Sequence, residues 1–158
     1  MKRLRGNIVP GGTYTDTDEV KVSIRPIKKT DYEAVFSLAW NLISHEDLDA
    51  LNPGSPTSLC FVAEADGRVV GFNLAHLLHV GIPLSKICVI QGIVVHDDYR
   101  RLGIGEKLIE AIFAKCVDCG IGTVRALVEE NDVRLQQFVD YLGFQRSAVS
   151  NYDKAIYR

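Results

Sequence analysis

The sequence predicts a single-domain α/β (α+β) fold, a mixed central β-sheet flanked by helices on both faces. Three observations predict it. An apolar run, Ile87 to Val95, leads through a glycine-containing turn into an amphipathic run from Glu106 to Cys119, and a further β-type stretch, Thr123 to Val128, follows. Two more strand-like runs flank Asp66-Gly67, the signature of a hairpin. Elements of both periods alternate along the chain, so helices must pack on a sheet.

Each element has its own reason. Val20 to Ile27 alternates Val20, Val22 and Ile24 against Lys21, Ser23 and Arg25, which signals a strand. Thr30-Asp31-Tyr32-Glu33 reads as a capping box before a helix with Val35, Phe36, Ala39, Leu42 and Ile43 on one face. Leu51 to Pro56 reads as a loop. Strands are expected at Ser58 to Ala65 and Val69 to His79, with a turn at Val80 to Leu84. Lys86 to Val95 is apolar on both faces and reads as a central strand. The next helix buries Leu108, Ile109, Ile112, Phe113 and Cys116 and stops at Gly120 and Gly122. Asp132 to Leu142 is a helix. Phe144 to Ser150 and Tyr152 to Tyr157 read as two closing strands. The expected order is β-α-β-β-β-α-β-α-β-β.

Composition bounds the function. The chain has 158 residues, 47% hydrophobic and 24% charged, enough for one domain with a core. A net charge of −2 argues against a nucleic-acid or anionic-membrane binder. No apolar run reaches the length of a membrane span. The basic start, Met1 to Arg5, is followed by no apolar segment and does not read as a secretory signal. Residues 1–19 are expected to be a flexible extension and 20–158 the domain. Cys60 and Cys88 fall in apolar strands, and Cys116 and Cys119 read as a helix face and its end. No metal is expected, and a reducing cytoplasm is the simplest location.

The most informative stretch is Arg100-Arg101-Leu102-Gly103-Ile104-Gly105, between the central strand and a helix. Glycines there let the backbone approach a phosphate closely, and the free N–H groups of a first helical turn bind the anion. Arg100 and Arg101 add charge-assisted donors. The stretch lacks the Gly-Lys-Ser/Thr ending of a Walker loop and the G-x-G-x-x-G spacing of a dinucleotide fold.

Arg-x-x-Gly-x-Gly after an apolar strand resembles the acetyl-CoA motif of the GCN5-related N-acetyltransferases (GNAT family). The resemblance continues in Ile93 to Arg100, in Arg134 to Phe138 leading into Tyr141-Leu142-Gly143-Phe144, in the Phe61 to Phe72 hairpin, and in Ser23-Ile24-Arg25-Pro26 with Thr30-Asp31. It covers about Val20 to Tyr157. It implies a GNAT-like acyl-CoA N-acyltransferase fold, with acetyl-CoA as co-substrate and a primary amine attacking the thioester directly. It further implies CoA-binding positions at Ile93, Val94 and Val95, at Arg100, Arg101, Leu102, Gly103, Ile104 and Gly105, and at Asn131.

The proton-transfer groups depart from the family's pattern. Alignment on Leu142-Gly143-Phe144 puts Val139 where many members carry a Tyr, and Asp132 where many carry an Asn; a one-residue bulge would instead bring Phe138 and Asn131 into line, still with no Tyr. Val89 stands where some carry a Glu. Tyr141 lies about 200° round the helix from Val139. An amine near a pKa of about 10.4 needs a base. The candidates are Glu129, Glu130, His76, His79 and Tyr141, with Gln91 able only to orient water. His45, Glu46 and Asp47 border the expected acceptor side. The alternative is a non-catalytic acyl-CoA sensor, supported by the same missing acid and base. The Tyr152 to Tyr157 strand is a pairing edge for a possible homodimer.

Overall fold

The computed structural model describes residues 19–157. The extension expected over residues 1–19 lies outside them apart from Glu19, as does Arg158.

In chain order the elements are β1 (Val22–Pro26), α1 (Tyr32–Leu38), α2 (His45–Leu51), β2 (Phe61–Ala65), β3 (Arg68–Val80), β4 (Ser85–Val95), α3 (Ile104–Asp118), β5 (Val124–Ala126) and α4 (Val133–Tyr141). The sheet order is β1-β2-β3-β4-β5. The first three pairings are antiparallel and β4–β5 is parallel. The reason is connectivity: tight turns join the β2–β3 and β3–β4 hairpins, whereas a parallel neighbour needs a crossover, here α3.

Helices cover both faces, as the sequence predicts. On one face Val35, Ala39 and Leu48 pack on Val62, Phe72 and Leu74. On the other, Ile109, Ile112 and Cys116 of α3 pack on Ala75, Leu77, Cys88 and Ile90, and Ile104 and Leu108 pack on Ala63, Ala65 and Val70. Among the described residues no helix is long and apolar enough to cross a membrane.

Three local expectations are corrected. The start of α1 is organised by Asp31 rather than by a Thr30–Glu33 box. Asp31 accepts the Lys28 N–H at 2.8 Å and takes both arms of the Arg25 guanidinium, at 2.7 and 2.8 Å. Arg25 also holds Glu64 at 2.9 Å, tying β1, β2 and the start of α1 together. The Arg25 hydrogen bond, helped by the Lys28 N–H, holds the buried Asp31 carboxyl below the usual carboxylate range against its desolvation. The helix then stops at Leu38, and Leu42 is exposed rather than continuing the apolar face.

The second correction is α2, a seven-residue helix where the sequence suggested a helix tail and loop. Ser44 and Asp47 form a reciprocal cap, with Asp47 N–H on the Ser44 hydroxyl at 3.1 Å and Ser44 N–H on Asp47 at 2.9 Å. Leu48 fixes the helix to the core.

The third concerns the closing strands at Phe144 to Ser150 and Tyr152 to Tyr157, which do not form. Phe144 still packs against Phe113. Beyond it Val149, Tyr152, Ile156 and Tyr157 face solvent. Alternation alone does not make a strand; a ladder needs a partner edge in register.

Candidate functional site

The site is built around β4. Along β3 the register slips between Leu74 and Ala75: Gly92 faces Leu74 and Ile90 faces Ala75. Gln91 is therefore an extra residue, a β-bulge. On its other edge β4 pairs with β5 only through Cys88, Val89 and Ile90, opposite Val124, Arg125 and Ala126. The Leu127 N–H reaches Ile90 O at 3.2 Å, and from there the strands part.

The parting exposes main chain. His96 N–H bonds to Val70 O of β3 at 2.8 Å. By alternation Val94 and Gly92 also direct their main-chain groups to β3, and Ile93 and Val95 direct theirs into the gap. The Val94 side chain meanwhile packs on the α1–α2 side of the core. Between the strands lies a slot of about 40 Å³, lined by residues that include Gln91, Ile93, Leu127, Phe138 and Val139. Gln91 borders the slot from β4, and its amide bonds to His76 on the α2 face of the sheet.

At the end of β4 the chain turns toward α3. Arg101 and Gly103 are both left-handed, with φ of 64° and 76°. Such a turn aims successive N–H groups inward and makes an anion-binding concavity. Gly103 caps α3, and the first intrahelical bond runs from Lys107 N–H to Gly103 O at 3.0 Å. The N–H groups of Ile104, Gly105 and Glu106 consequently have no carbonyl within the helix to meet. A Cβ on Gly105 would stand 3.2 Å from Phe138 Cζ and 3.7 Å from Ile93 Cδ1, so any side chain here presses α3 against α4, and even a methyl group requires the Phe138 ring to shift.

The two arginines differ. Arg100 binds Asp97 at 2.8 Å and Val95 O at 3.3 Å, bracing its own turn. Arg101 is exposed and, among the described residues, pairs with no carboxylate. Leu102 is half-exposed at the rim.

The candidates for proton transfer are scattered. Glu129 and Glu130 are exposed in the turn after β5, and their carbonyls accept from Gln136 Nε2 at 3.1 and 2.6 Å. Asn131 is exposed beside them, and Asp132 caps α4 by accepting Leu135 N–H at 3.0 Å. Tyr141 ends α4 and is 72% exposed. Val89 is buried in β4, and Val139 lines the slot. His76 has both ring nitrogens engaged, Nδ1 with Gln91 Oε1 at 2.7 Å and Nε2 with Leu51 O at 3.1 Å. His79 is exposed near the β3–β4 turn, and His96 Nδ1 accepts the Asp98 N–H.

The structure thus brings Gln91 and Ile93 to the slot, with Gly105 beside Ile93 and Phe138; Val95 and the Arg101–Ile104 turn follow past the slot along the chain, and Glu129 and Glu130 stand in the turn after β5. The bulge that places Gln91 leaves no mark in a single sequence's periodicity. Cys60, Cys88 and Cys116 are buried, and burial pushes the Cys88 thiol up to about 12. None of these three is a nucleophile at neutral pH. Among the described residues no group of His, Cys, Asp or Glu gathers to hold a metal ion.

Known proteins share this fold. The Acetyltransferase (GNAT) family model matches residues 22–144. The aminoglycoside N-acetyltransferase AAC(6')-Iy, solved in complex with CoA, superposes with a TM-score of 0.75 at 23% identity, over 94% of this chain and 100% of that one. The same enzyme with a bisubstrate analogue, CoA-S-monomethyl-acetylneamine, gives 0.74 at 23%, over 86% and 99%. A transcriptional regulator from Bacillus halodurans C-125 gives 0.72 at 17%, over 86% and 100%. With the family pattern spanning more than half of its length, the chain belongs to the GNAT family of acetyltransferases.

Proposed function

We propose that the protein transfers an acetyl group from acetyl-CoA to a primary amine. The observation that carries this reading is the cleft opened by the parting of β4 and β5, which runs to the left-handed turn at the start of α3. The N–H groups of Arg101 to Glu106 take the pyrophosphate, with Arg101 adding charge. Ile93 and Val95 offer main-chain groups to the pantetheine arm and the acetyl carbonyl, and an N–H there steadies the oxyanion.

The amine nitrogen attacks the thioester carbon, the C–S bond breaks, and the thiolate leaves. Of the two protons the ammonium sheds, one goes to the base and one to the departing sulfur. We assign the base to Glu129, at the β5 wall, because both nitrogens of His76 are engaged and Tyr141 stands at the far end of α4. A thiol with a pKa of about 8.5 leaves without a strong acid, which accommodates Val139.

A non-catalytic acyl-CoA sensor is the competing reading, favoured by Val139 and Val89. One assay decides: release of CoA thiol with 1,4-diaminobutane, lysine amide, a peptide N-terminus and neamine. Turnover with any of them supports the transferase; binding of acetyl-CoA without turnover supports the sensor. The protein is placed in the cytoplasm on this reading, where acetyl-CoA and reduced thiols coexist. We further propose that two copies associate through the 145–157 segment, whose exposed Tyr152, Ile156 and Tyr157 find no partner within the described chain. Sedimentation of the full chain against one ending at Ser150 tests this, with a shift to monomer expected.

A further inference from the structure

We propose that Gln91 positions the acceptor amine in the cleft, presenting its amide oxygen because His76 holds the amide nitrogen. This inference rests on the transferase reading above.

The hydrogen-bond accounting is closed. Leu51 O can only accept, so His76 Nε2 must carry a proton to meet it at 3.1 Å. A neutral imidazole has one N–H, and Nδ1 is then an acceptor. The group facing Nδ1 at 2.7 Å is the Gln91 amide, and it must offer its NH2. The orientation with Oε1 on the ring satisfies only an imidazolium, since both neighbours would then be acceptors. The two ends of a primary amide have the same shape, so turning it over disturbs no packing. With neutral His76, Oε1 is directed away from the ring.

What it faces is informative. Gln91 is the bulge residue, at the point where β4 leaves β5, and its amide lies with His76 on the α2 face of the sheet, across β4 from the apolar slot on the α3–α4 face. A thioester whose CoA arm fills the α3–α4 side of the gap is open to attack from the other face, and a polar group placed there orients the incoming amine. A carbonyl oxygen in that place accepts from an amine or ammonium N–H; an amide NH2 would repel an ammonium and would occupy the attacking lone pair of a free amine. His76 in turn is anchored to the last residue of α2, so the clasp links the α2 wall to the bulge.

The test combines kinetics and spectroscopy on the full chain, with the same amine panel. Gln91→Leu is expected to raise the amine KM about tenfold, the worth of one hydrogen bond to a charged group, while leaving acetyl-CoA affinity unchanged. Gln91→Glu, which still accepts, keeps the amine KM within about threefold of wild type on the same argument. His76→Phe raises it like Gln91→Leu, and the double variant is no worse than either single one, since both remove one arrangement. A purely structural role would instead lower acetyl-CoA affinity and melting temperature together, and Gln91→Glu would rescue nothing. ¹⁵N spectra of the His76 ring provide a readout independent of turnover, with the Nε2–H tautomer expected. An Nδ1–H tautomer, or an unchanged amine KM in Gln91→Leu, overturns this inference alone. No turnover by wild type with any amine overturns the transferase reading, and this inference with it.

Discussion

Replacing Gly103 with Val separates a phosphate-binding turn from an ordinary one. Gly103 has φ 76° and ψ 11°, and a Cβ built on it meets nothing within 4 Å. The cost is therefore conformational, not steric crowding. Holding an L-residue left-handed costs about 1–2 kcal/mol, and the upper end applies to a β-branched side chain. At about 2–4 °C per kcal/mol for a chain of this size, the variant should melt about 2–8 °C below wild type if the turn is kept. The alternative is a turn that flips to negative φ and withdraws its N–H groups from the anion. Ligand binding distinguishes the two. A ligand at about a hundred times its dissociation constant adds about 2.7 kcal/mol, or a rise of about 5–11 °C. Thermal-shift titration should show that rise with acetyl-CoA and CoA in wild type, and little of it in Gly103→Val. Gly103→Asn, whose short side chain tolerates this conformation, should retain most of it. A full rise in Gly103→Val, with no rise lost at any ligand concentration, would refute the reasoning.

Asp31→Asn should cost about 1.5–3 kcal/mol at pH 7, measured by urea unfolding, because it removes the carboxylate held by Arg25 and Lys28. The folded-state pKa of Asp31 is depressed, so its stabilisation is complete above the unfolded value of about 3.9 and is lost as pH falls through the folded value. The gap between variant and wild type should thus narrow below about pH 4; a constant gap would contradict the assignment. Gly105→Leu, pressed against Phe138, should destabilise by about 1–3 kcal/mol through overpacking, whereas Gly105→Ala needs only a small ring shift. Iodoacetamide at pH 8 should label Cys119 alone in the native chain and all four cysteines after unfolding, read by intact mass; rapid native labelling of Cys88 would be inconsistent with its burial.

The sheet and α3 were legible because their signals are local. The doubly apolar run Ile87–Ile90 could only be a covered strand, and the spacing of Leu108, Ile109, Ile112 and Cys116 could only be a helix face. The turn before α3 was legible for the same reason, since Gly103 and Gly105 announce a backbone requirement. The α2 helix was missed although Ser44-x-x-Asp47 is a capping signal, because a seven-residue helix with one buried side chain has almost no periodicity to show. The closing segment shows the converse error: Tyr152 and Ile156 carry strand propensity, but pairing is a property of two edges. The bulge at Gln91 was beyond reach, because it is defined by counting residues on β3 as well as on β4. His76 could be named as a candidate from its residue type, but its two hydrogen bonds depend on Leu51 and Gln91, brought together only by the tertiary fold.

The three-residue contact between β4 and β5 has a mechanical consequence. Past Ile90 the β5–α4 wall is joined to the sheet through α3 packing and the slot's apolar lining, with no ladder of its own. On the transferase reading, a thioester arm lying in the gap would take the place of an absent strand and supply the hydrogen bonds that a neighbour would have supplied. Occupancy of the cleft and cohesion of the C-terminal third are then one event.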